Sequence, residues 1–287
     1  MKLAPFEFGG AIVVITGAAS GMAEQVARDL WALGSTLFLI DRDSEGLAVL
    51  AQQLGSSPGQ KLHTITADLA SDDGVPTILE QVRARTSSVD LLVNVAGVAI
   101  GGSFSDLTEQ EFDWVMRVNF AAPVALCRGL LPLLRKPGGH IANVSSVYGL
   151  IAPPGHVAYV SSKFALRGFS EVLRAELAGS GVTVTTIFPG GVRTKIAANA
   201  RVAAAIPADA VAAARETYAR NLTYPVQSAA RDIVRAIRHR RPRLLIAFSA
   251  KLPDVVARLL PVSNLRVLAR LRPTRTRNAA AVLRADD

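Results

Sequence analysis

A single cysteine, Cys127, occurs in 287 residues. That excludes an intrachain disulfide and any zinc site built from cysteines. The four histidines, His63, His140, His156 and His239, are scattered without metal-ligand spacing, so no metal is expected. Charged residues supply only 19% of the chain against 50% hydrophobic, which excludes disorder as the main state. No uninterrupted apolar run reaches the roughly 18 residues that a spanning helix needs. Met1-Lys2-Leu3 has a trace of a secretory signal, but Glu7 interrupts it and the run Ala11 to Ile15 leads straight into a glycine loop. One cysteine suits a reducing cytoplasm, and a cytoplasmic protein is the expectation.

Acidic residues are scarce at one end. From Arg231 onward 14 Lys and Arg stand against 4 Asp, whereas residues 1–230 are close to neutral. Any electrostatic partner therefore belongs at the C-terminal end.

What is present is an alternation of short apolar runs with longer helical patterns, the signature of a doubly wound α/β fold: a parallel sheet with helices on both faces. Seven strands are expected at Ala11–Thr16, Thr36–Ile40, Leu62–Thr66, Leu91–Asn94, His140–Val144, Val182–Phe188 and Leu244–Phe248. Continuous runs such as Ile12-Val13-Val14-Ile15 suit strands covered on both sides. Helices are expected at Met22–Leu33, Glu45–Leu54, Asp73–Arg85, Glu109–Leu134, Ala158–Leu177 and Ala229–His239. Residues 1–250 read as one domain. Within it, the alanine-rich stretch at about 195–227 reads as a helical lid, and 251–287 reads as a basic, amphipathic C-terminal helical extension.

Thr16-Gly17-Ala18-Ala19-Ser20-Gly21-Met22-Ala23 joins the first strand to the first helix. A glycine loop opening a helix presents backbone N–H groups and the positive helix end to a pyrophosphate. Asp41 ends the second strand, where a carboxylate accepts hydrogen bonds from ribose hydroxyls and repels a 2′-phosphate, favouring NAD over NADP. Arg42 is adjacent and could hold that phosphate, so NADP stays open.

Tyr159-Val160-Ser161-Ser162-Lys163 places a phenol and an ammonium four residues apart on one helix face. A free tyrosine has a pKa of about 10, and a neighbouring cation makes the phenolate more accessible for proton transfer. Ser146, 13 residues earlier, lies at the end of the fifth strand, where ligands bind in this architecture. It can donate to the same substrate oxygen. Ser145 is the competing choice.

Together these segments resemble the short-chain dehydrogenase/reductase family, a single-domain Rossmann-type fold. The glycine loop is similar to T-G-x-x-x-G-x-G, with Ala23 where the last glycine is usual. Asp68-Leu69 matches the adenine-contacting pair, and Asn94-Val95-Ala96-Gly97 matches N-V-A-G. Pro189-Gly190-Gly191-Val192-Arg193-Thr194 matches P-G-x-V-x-T. Asn119, with Ser146, Tyr159 and Lys163, completes the family's tetrad. The resemblance runs in order from Gly17 to Thr194, about two thirds of the chain.

It implies an NAD(P)-dependent oxidoreductase interconverting an alcohol and its carbonyl, with Tyr159 as the acid/base. Gly17, Ser20, Gly21, Met22, Asp41, Arg42, Asp68, Leu69, Asn94, Ala96, Gly97, Tyr159, Lys163, Pro189, Gly190, Val192 and Thr194 would hold the dinucleotide. It also implies a homo-oligomer, dimer or tetramer, formed through two long central helices.

The expected pocket wall includes Val147, Tyr148, Leu150, Ile151, Pro153 and Pro154, mostly apolar, which suggests a hydrophobic alcohol or ketone. His156 could touch substrate or simply be exposed. Cys127 falls on an apolar helix face and reads as core. Two other functions stay open: a catalytically silent dinucleotide-sensing protein, and a membrane-surface adaptor acting through the basic end. That end mixes apolar and cationic positions at helical spacing, so it suits either an anionic membrane surface or helices docked on the domain. Nucleic acid is not an expected partner, because interleaved aromatics and a recognition motif are missing.

Overall fold

The computed structural model describes residues 3–134, 138–194, 196, 199–206 and 222–271. In chain order the elements that build the first half are β1 (Ile12–Thr16), α1 (Gly21–Ala32), β2 (Thr36–Asp41), α2 (Ser44–Leu54), β3 (Leu62–Thr66), α3 (Gly74–Arg83) and β4 (Leu91–Asn94). There follow β5 (Ile100–Gly101), α4 (Glu109–Met116), α5 (Ala122–Leu134), β6 (His140–Val144), α6 (Val157–Glu176), β7 (Thr183–Pro189) and β8 (Arg201–Val202). The described chain ends with α7 (Val226–Arg238), β9 (Arg243–Ile246), α8 (Phe248–Leu259) and α9 (Asn264–Leu271).

Seven strands form one sheet in the order β3-β2-β1-β4-β6-β7-β9, and every pairing within it is parallel. Parallel strands need helical crossovers, and those crossovers cover both faces. On one side α1 and α7 pack together over Val13, Ile15, Leu37, Leu39 and Ile246. On the other, α3, α5 and α6 cover Val14, Phe38, Ile40, Leu92 and Ile141. The doubly wound, seven-stranded expectation is met.

Beyond shifts of one to three residues at element ends, three features differ from the sequence reading. Residues 109–134 do not form one regular helix: Arg117–Ala121 makes a π-helical turn between α4 and α5. The apolar pattern runs through both halves, so nothing in it marks the extra residue. Although residues 109–134 are long and apolar enough to cross a membrane by length and composition alone, α5 packs on β4 and β6 as part of the core.

The seventh strand stops at Ile246. Ala247 takes a φ of 67°, a left-handed turn that reverses the chain into α8, so Phe248 starts a helix and does not end a strand. Of the expected helical lid, 207–221 lies outside the described residues. The described part before it holds turns and one short strand: β8 pairs in parallel with β5, and Ala203 N donates to the Gly101 carbonyl at 2.8 Å. Gly102 is in turn bridged to His156, with its N–H on the Gly155 carbonyl at 2.9 Å.

Helix α8 packs against β9 and the turn after β6. Asp254 of α8 binds both Arg243 Nη1 at 2.8 Å and Nη2 at 2.5 Å. The first part of the basic extension is therefore a helix docked on the domain.

Candidate active site

The sheet order reverses between β1 and β4. The chain leaves β1 toward one face and β4 toward the other, so a crevice opens at their carboxyl ends. Gly17 sits at its base with φ 76°, and a Cβ there would lie 2.9 Å from the Ala96 Cα. Only glycine allows both the left-handed backbone and that approach. Thr16 Oγ1 accepts from the Val95 and Ala96 N–H groups, each at 3.2 Å, and so ties the two loop walls together. Ser20 precedes α1 in extended geometry, and its side chain caps none of the first-turn N–H groups. Those donors are left to an anion at the positive helix end. Thr194, arriving from β7, lies over Gly21: a Cβ on Gly21 would stand 3.6 Å from the Thr194 methyl.

Asp41 ends β2 and its carboxylate is already ordered. Oδ2 accepts from Ala19 N at 3.0 Å and Oδ1 from Asp43 N at 3.0 Å. Two spare lone pairs remain for hydroxyl donors beside the glycine loop. Arg42 is exposed next to it. Asp68 Oδ1 accepts from Ala70 N at 2.9 Å, a local turn contact, while Leu69 is buried at the same strand end. Asn94 joins adjacent strands, donating to Asn143 Oδ1 at 2.8 Å. Pro189 ends β7, and Gly190 is pressed against Ala250 and Ser249 of α8. Met22 is half-buried in the first turn of α1.

The second cluster is built by α6 and the end of β6. Tyr159 and Lys163 are one helical turn apart and both buried, with Lys163 Nζ 5.7 Å from the Tyr159 ring centre. Ser146 follows β6 with its hydroxyl beside the Tyr159 phenol, whose ionisation it favours, while its Oγ accepts from Tyr148 N at 3.1 Å. Ser145 turns away, donating to the Lys163 carbonyl at 2.8 Å. Of the two serines, Ser146 is the one on the Tyr159 side, and Ser145 is already engaged with the main chain.

Lys163 Nζ donates to the Val144 carbonyl at 3.0 Å. Asn119, in the π turn, donates from Nδ2 to Val98 O at 2.9 Å and to Ser162 Oγ at 3.0 Å, and accepts from Val98 N at 2.8 Å. Ser162 Oγ passes the chain on to the Tyr159 carbonyl at 2.8 Å. Asn119, Ser162 and Tyr159 therefore share one buried chain of hydrogen bonds linking α6, the π turn and the loop after β4, with Lys163 one turn further along α6.

Burial sets the protonation of this cluster. It pushes the Tyr159 phenol up to about 12, against a smaller downward pull from the Ser146 hydrogen bond. It pulls the Lys163 ammonium down to about 8, since a cation away from water is disfavoured. Cys127 is buried on α5, as its apolar helix face suggested. His156 is half-buried rather than exposed, its ring 5.2 Å from that of Tyr148. Burial keeps its pKa below the ordinary histidine value.

The residues fit a dinucleotide. Gly97 leaves a cradle in front of the ammonium: a Cβ there would meet Lys163 Nζ at 3.4 Å and Asn119 Oδ1 at 3.3 Å. From that cradle the crevice continues past Thr194 and Gly21 to Asp41. Thr16, Ser162 and the Val98 backbone went unremarked in the sequence because each acts by hydrogen-bonding a loop or a helix, and a small polar residue carries no spacing signal for that.

A family model described as short chain dehydrogenase matches residues 11–205. The protein SadH of Mycobacterium tuberculosis, an oxidoreductase by name, is 35% identical over 91% of this chain and 95% of its own. Dehydrogenase/reductase SDR family member 7B of Bos taurus is 36% identical over 66% of this chain and 60% of its own length. A crystal structure of a short chain dehydrogenase/reductase from Burkholderia phymatum in complex with NAD superposes with a TM-score of 0.79 at 29% identity, covering 94% of this chain and 98% of that one. A short-chain dehydrogenase from Streptomyces avermitilis gives 0.76 at 27% identity, over 97% and 98%. With the model match spanning the glycine loop, the tetrad and the segment through Thr194, the chain belongs to the short-chain dehydrogenase family and is a Rossmann-fold oxidoreductase.

Proposed function

We propose that this oxidoreductase interconverts a hydrophobic secondary alcohol and its carbonyl compound with NAD, using Tyr159 as the proton-transfer group. The observation that carries this reading is the buried Tyr159 phenol beside the Ser146 hydroxyl, with the Lys163 ammonium 5.7 Å from its ring centre. A protein that only senses a dinucleotide has no use for that arrangement.

When bound, the nicotinamide supplies or accepts the hydride at the substrate carbon. In the oxidation direction, the Tyr159 phenolate takes the proton of the alcohol O–H as the carbon–hydrogen bond gives up its hydride. In reduction the phenol returns that proton to the forming alkoxide. Ser146 donates a hydrogen bond to the same oxygen and stabilises its developing charge. Lys163 holds positive charge where the phenolate forms and offsets the cost of ionising a buried phenol. Asn119 positions Lys163 and Tyr159 through Ser162 and the Val98 loop. Asp41 favours NAD by accepting ribose hydroxyls and repelling a 2′-phosphate, and the apolar Val147, Leu150 and Ile151 favour a hydrophobic substrate.

The test is Tyr159→Phe assayed against a panel of hydrophobic secondary alcohols and ketones, followed at the reduced-nicotinamide absorbance. Turnover should fall by about 10²–10⁴-fold, while NADH binding stays within a few-fold. Unchanged turnover would discard the mechanism.

We further propose a homo-oligomer built on the outer faces of α5 and α6, where Val172 is 56% and Phe164 37% exposed. Light scattering checks it; a monomer at all concentrations is the contrary result.

A further inference from the structure

Helix α8 presents an apolar stripe outward. Phe248, Val255 and Leu259 recur at helical spacing along it, and Val262 caps the turn that leads to α9. Leu259 is 74% exposed and Val262 97%. The opposite side of the same helix is already satisfied, with Ala250, Asp254 and Val256 buried against the domain. An amphipathic helix normally turns its apolar stripe inward, and this one has a second stripe left over.

The charge around the stripe has one sign. Lys251, Arg258, Arg266 and Arg270 are exposed among residues 248–271, and the sole acid there, Asp254, is buried. It is also used up, bound by Arg243 at 2.5 Å and Arg258 at 3.2 Å. Between the stripe and the domain lies a cavity of about 320 Å³ lined by Leu150, Ile151, Phe164, Ala257, Val262 and Leu265 among others.

We propose that α8 and α9 form a docking face for an anionic lipid bilayer. Phe248, Val255, Leu259 and Val262 would enter the boundary between headgroups and acyl chains, and the four cations would meet the headgroup phosphates. Charge complementarity selects this occupant. A second copy docked by a two-fold axis would oppose cation to cation, with no exposed carboxylate among residues 248–271 of either copy to pair them. The apex position of Val262, nearly free of neighbours, suits a fluid apolar phase that needs no matching socket. The inference stands on this surface alone and does not depend on the substrate or on Tyr159.

The experiment is co-sedimentation of the full chain with phosphatidylcholine vesicles and with vesicles in which about one third of the lipid is phosphatidylglycerol, a content at which anionic attraction is felt. Leu259→Glu/Val262→Glu removes the apolar contact and Lys251→Glu/Arg266→Glu the cationic one. All four side chains are at the surface, and NADH titration of each variant verifies that the fold is intact. The wild type should partition onto the anionic vesicles at least about tenfold better than onto neutral ones, and each double variant should lose about tenfold. Equal partitioning onto both vesicles, binding to neither, or an apolar variant that sediments like the wild type overturns the proposal. A wild-type dimer dispersed by Leu259→Glu/Val262→Glu, without vesicle preference, would hand the face to a second copy.

Discussion

The buried ammonium of Lys163 donates to the main-chain carbonyl of Val144 at 3.0 Å and has no carboxylate partner among the described residues. A cation held by a neutral acceptor keeps its charge at a cost, and that cost is what makes it available to a neighbouring phenol. The arrangement has a consequence for stability as well as for chemistry.

Burial lowers Lys163 from 10.5 to about 8. Between those values the unfolded chain binds a proton that the folded chain has released, so this residue makes stability rise with pH across that window. The slope it contributes approaches about 1.4 kcal/mol per pH unit. Urea unfolding of the wild type and of Lys163→Met at a series of pH values isolates it, because every other titrating group is shared. The difference should shift in favour of the wild type from pH 8 upward; parallel curves would remove the premise.

His140 behaves in the same sense at acid pH. It is fully buried between Thr183 Oγ1 at 2.6 Å and Thr185 Oγ1 at 3.0 Å, and burial, helped by the Arg240 charge, lowers it to about 3. The unfolded chain protonates this ring near 6.5 while the folded chain does not, so stability is lost as pH falls from 6.5 toward 3. His140→Gln keeps one polar contact and should flatten that acid limb, at some loss of stability at neutral pH. An acid midpoint that moves the same way in both proteins counts against this assignment.

Gly17→Ala tests the base of the crevice, where the methyl group would meet the Ala96 backbone at 2.9 Å. Gly10→Ala is the control, since Gly10 shares a φ near 74° but has nothing within 4 Å of its added carbon. Both should lose about 1–2 kcal/mol from left-handed strain. Only Gly17→Ala should also weaken NADH binding, by about tenfold or more, measured by fluorescence titration. Equal binding in the two variants would place the dinucleotide elsewhere.

Asp41 sets the cofactor preference in this reading. The wild type should bind NADH more tightly than NADPH, and Asp41→Ala should narrow the ratio by about tenfold, or ~1.4 kcal/mol, by lifting the repulsion beside Arg42. Tighter NADPH binding by the wild type would reverse the assignment.

Much of the fold and of the site is legible in the sequence, and unevenly so. Ile12-Val13-Val14-Ile15 announces a strand buried on both faces because no polar residue interrupts it, and Tyr159 to Lys163 announces a shared helix face because four residues make one turn. Arg117–Ala121 announced nothing. Its apolar periodicity is continuous with both neighbours, and the widened turn becomes intelligible only when the Asn119 amide is seen bonded to both backbone groups of Val98. The end of β9 was misplaced for a related reason: Leu244 to Phe248 is uniformly apolar, and the left-handed Ala247 that turns the chain is a residue type with no turn preference. The β5–β8 pair escaped notice because a two-residue strand has no period to detect.

That small pairing governs how the crevice can open. Residues 99 to 102 are stitched on one side to Arg201 and Ala203 and on the other to Gly155, so three segments of the rim share one strip of main-chain bonds. Widening the entrance for a bulky guest means unzipping several of these at once, each exchanged for water. The strip is made of backbone atoms, so side-chain substitution leaves its bonds intact.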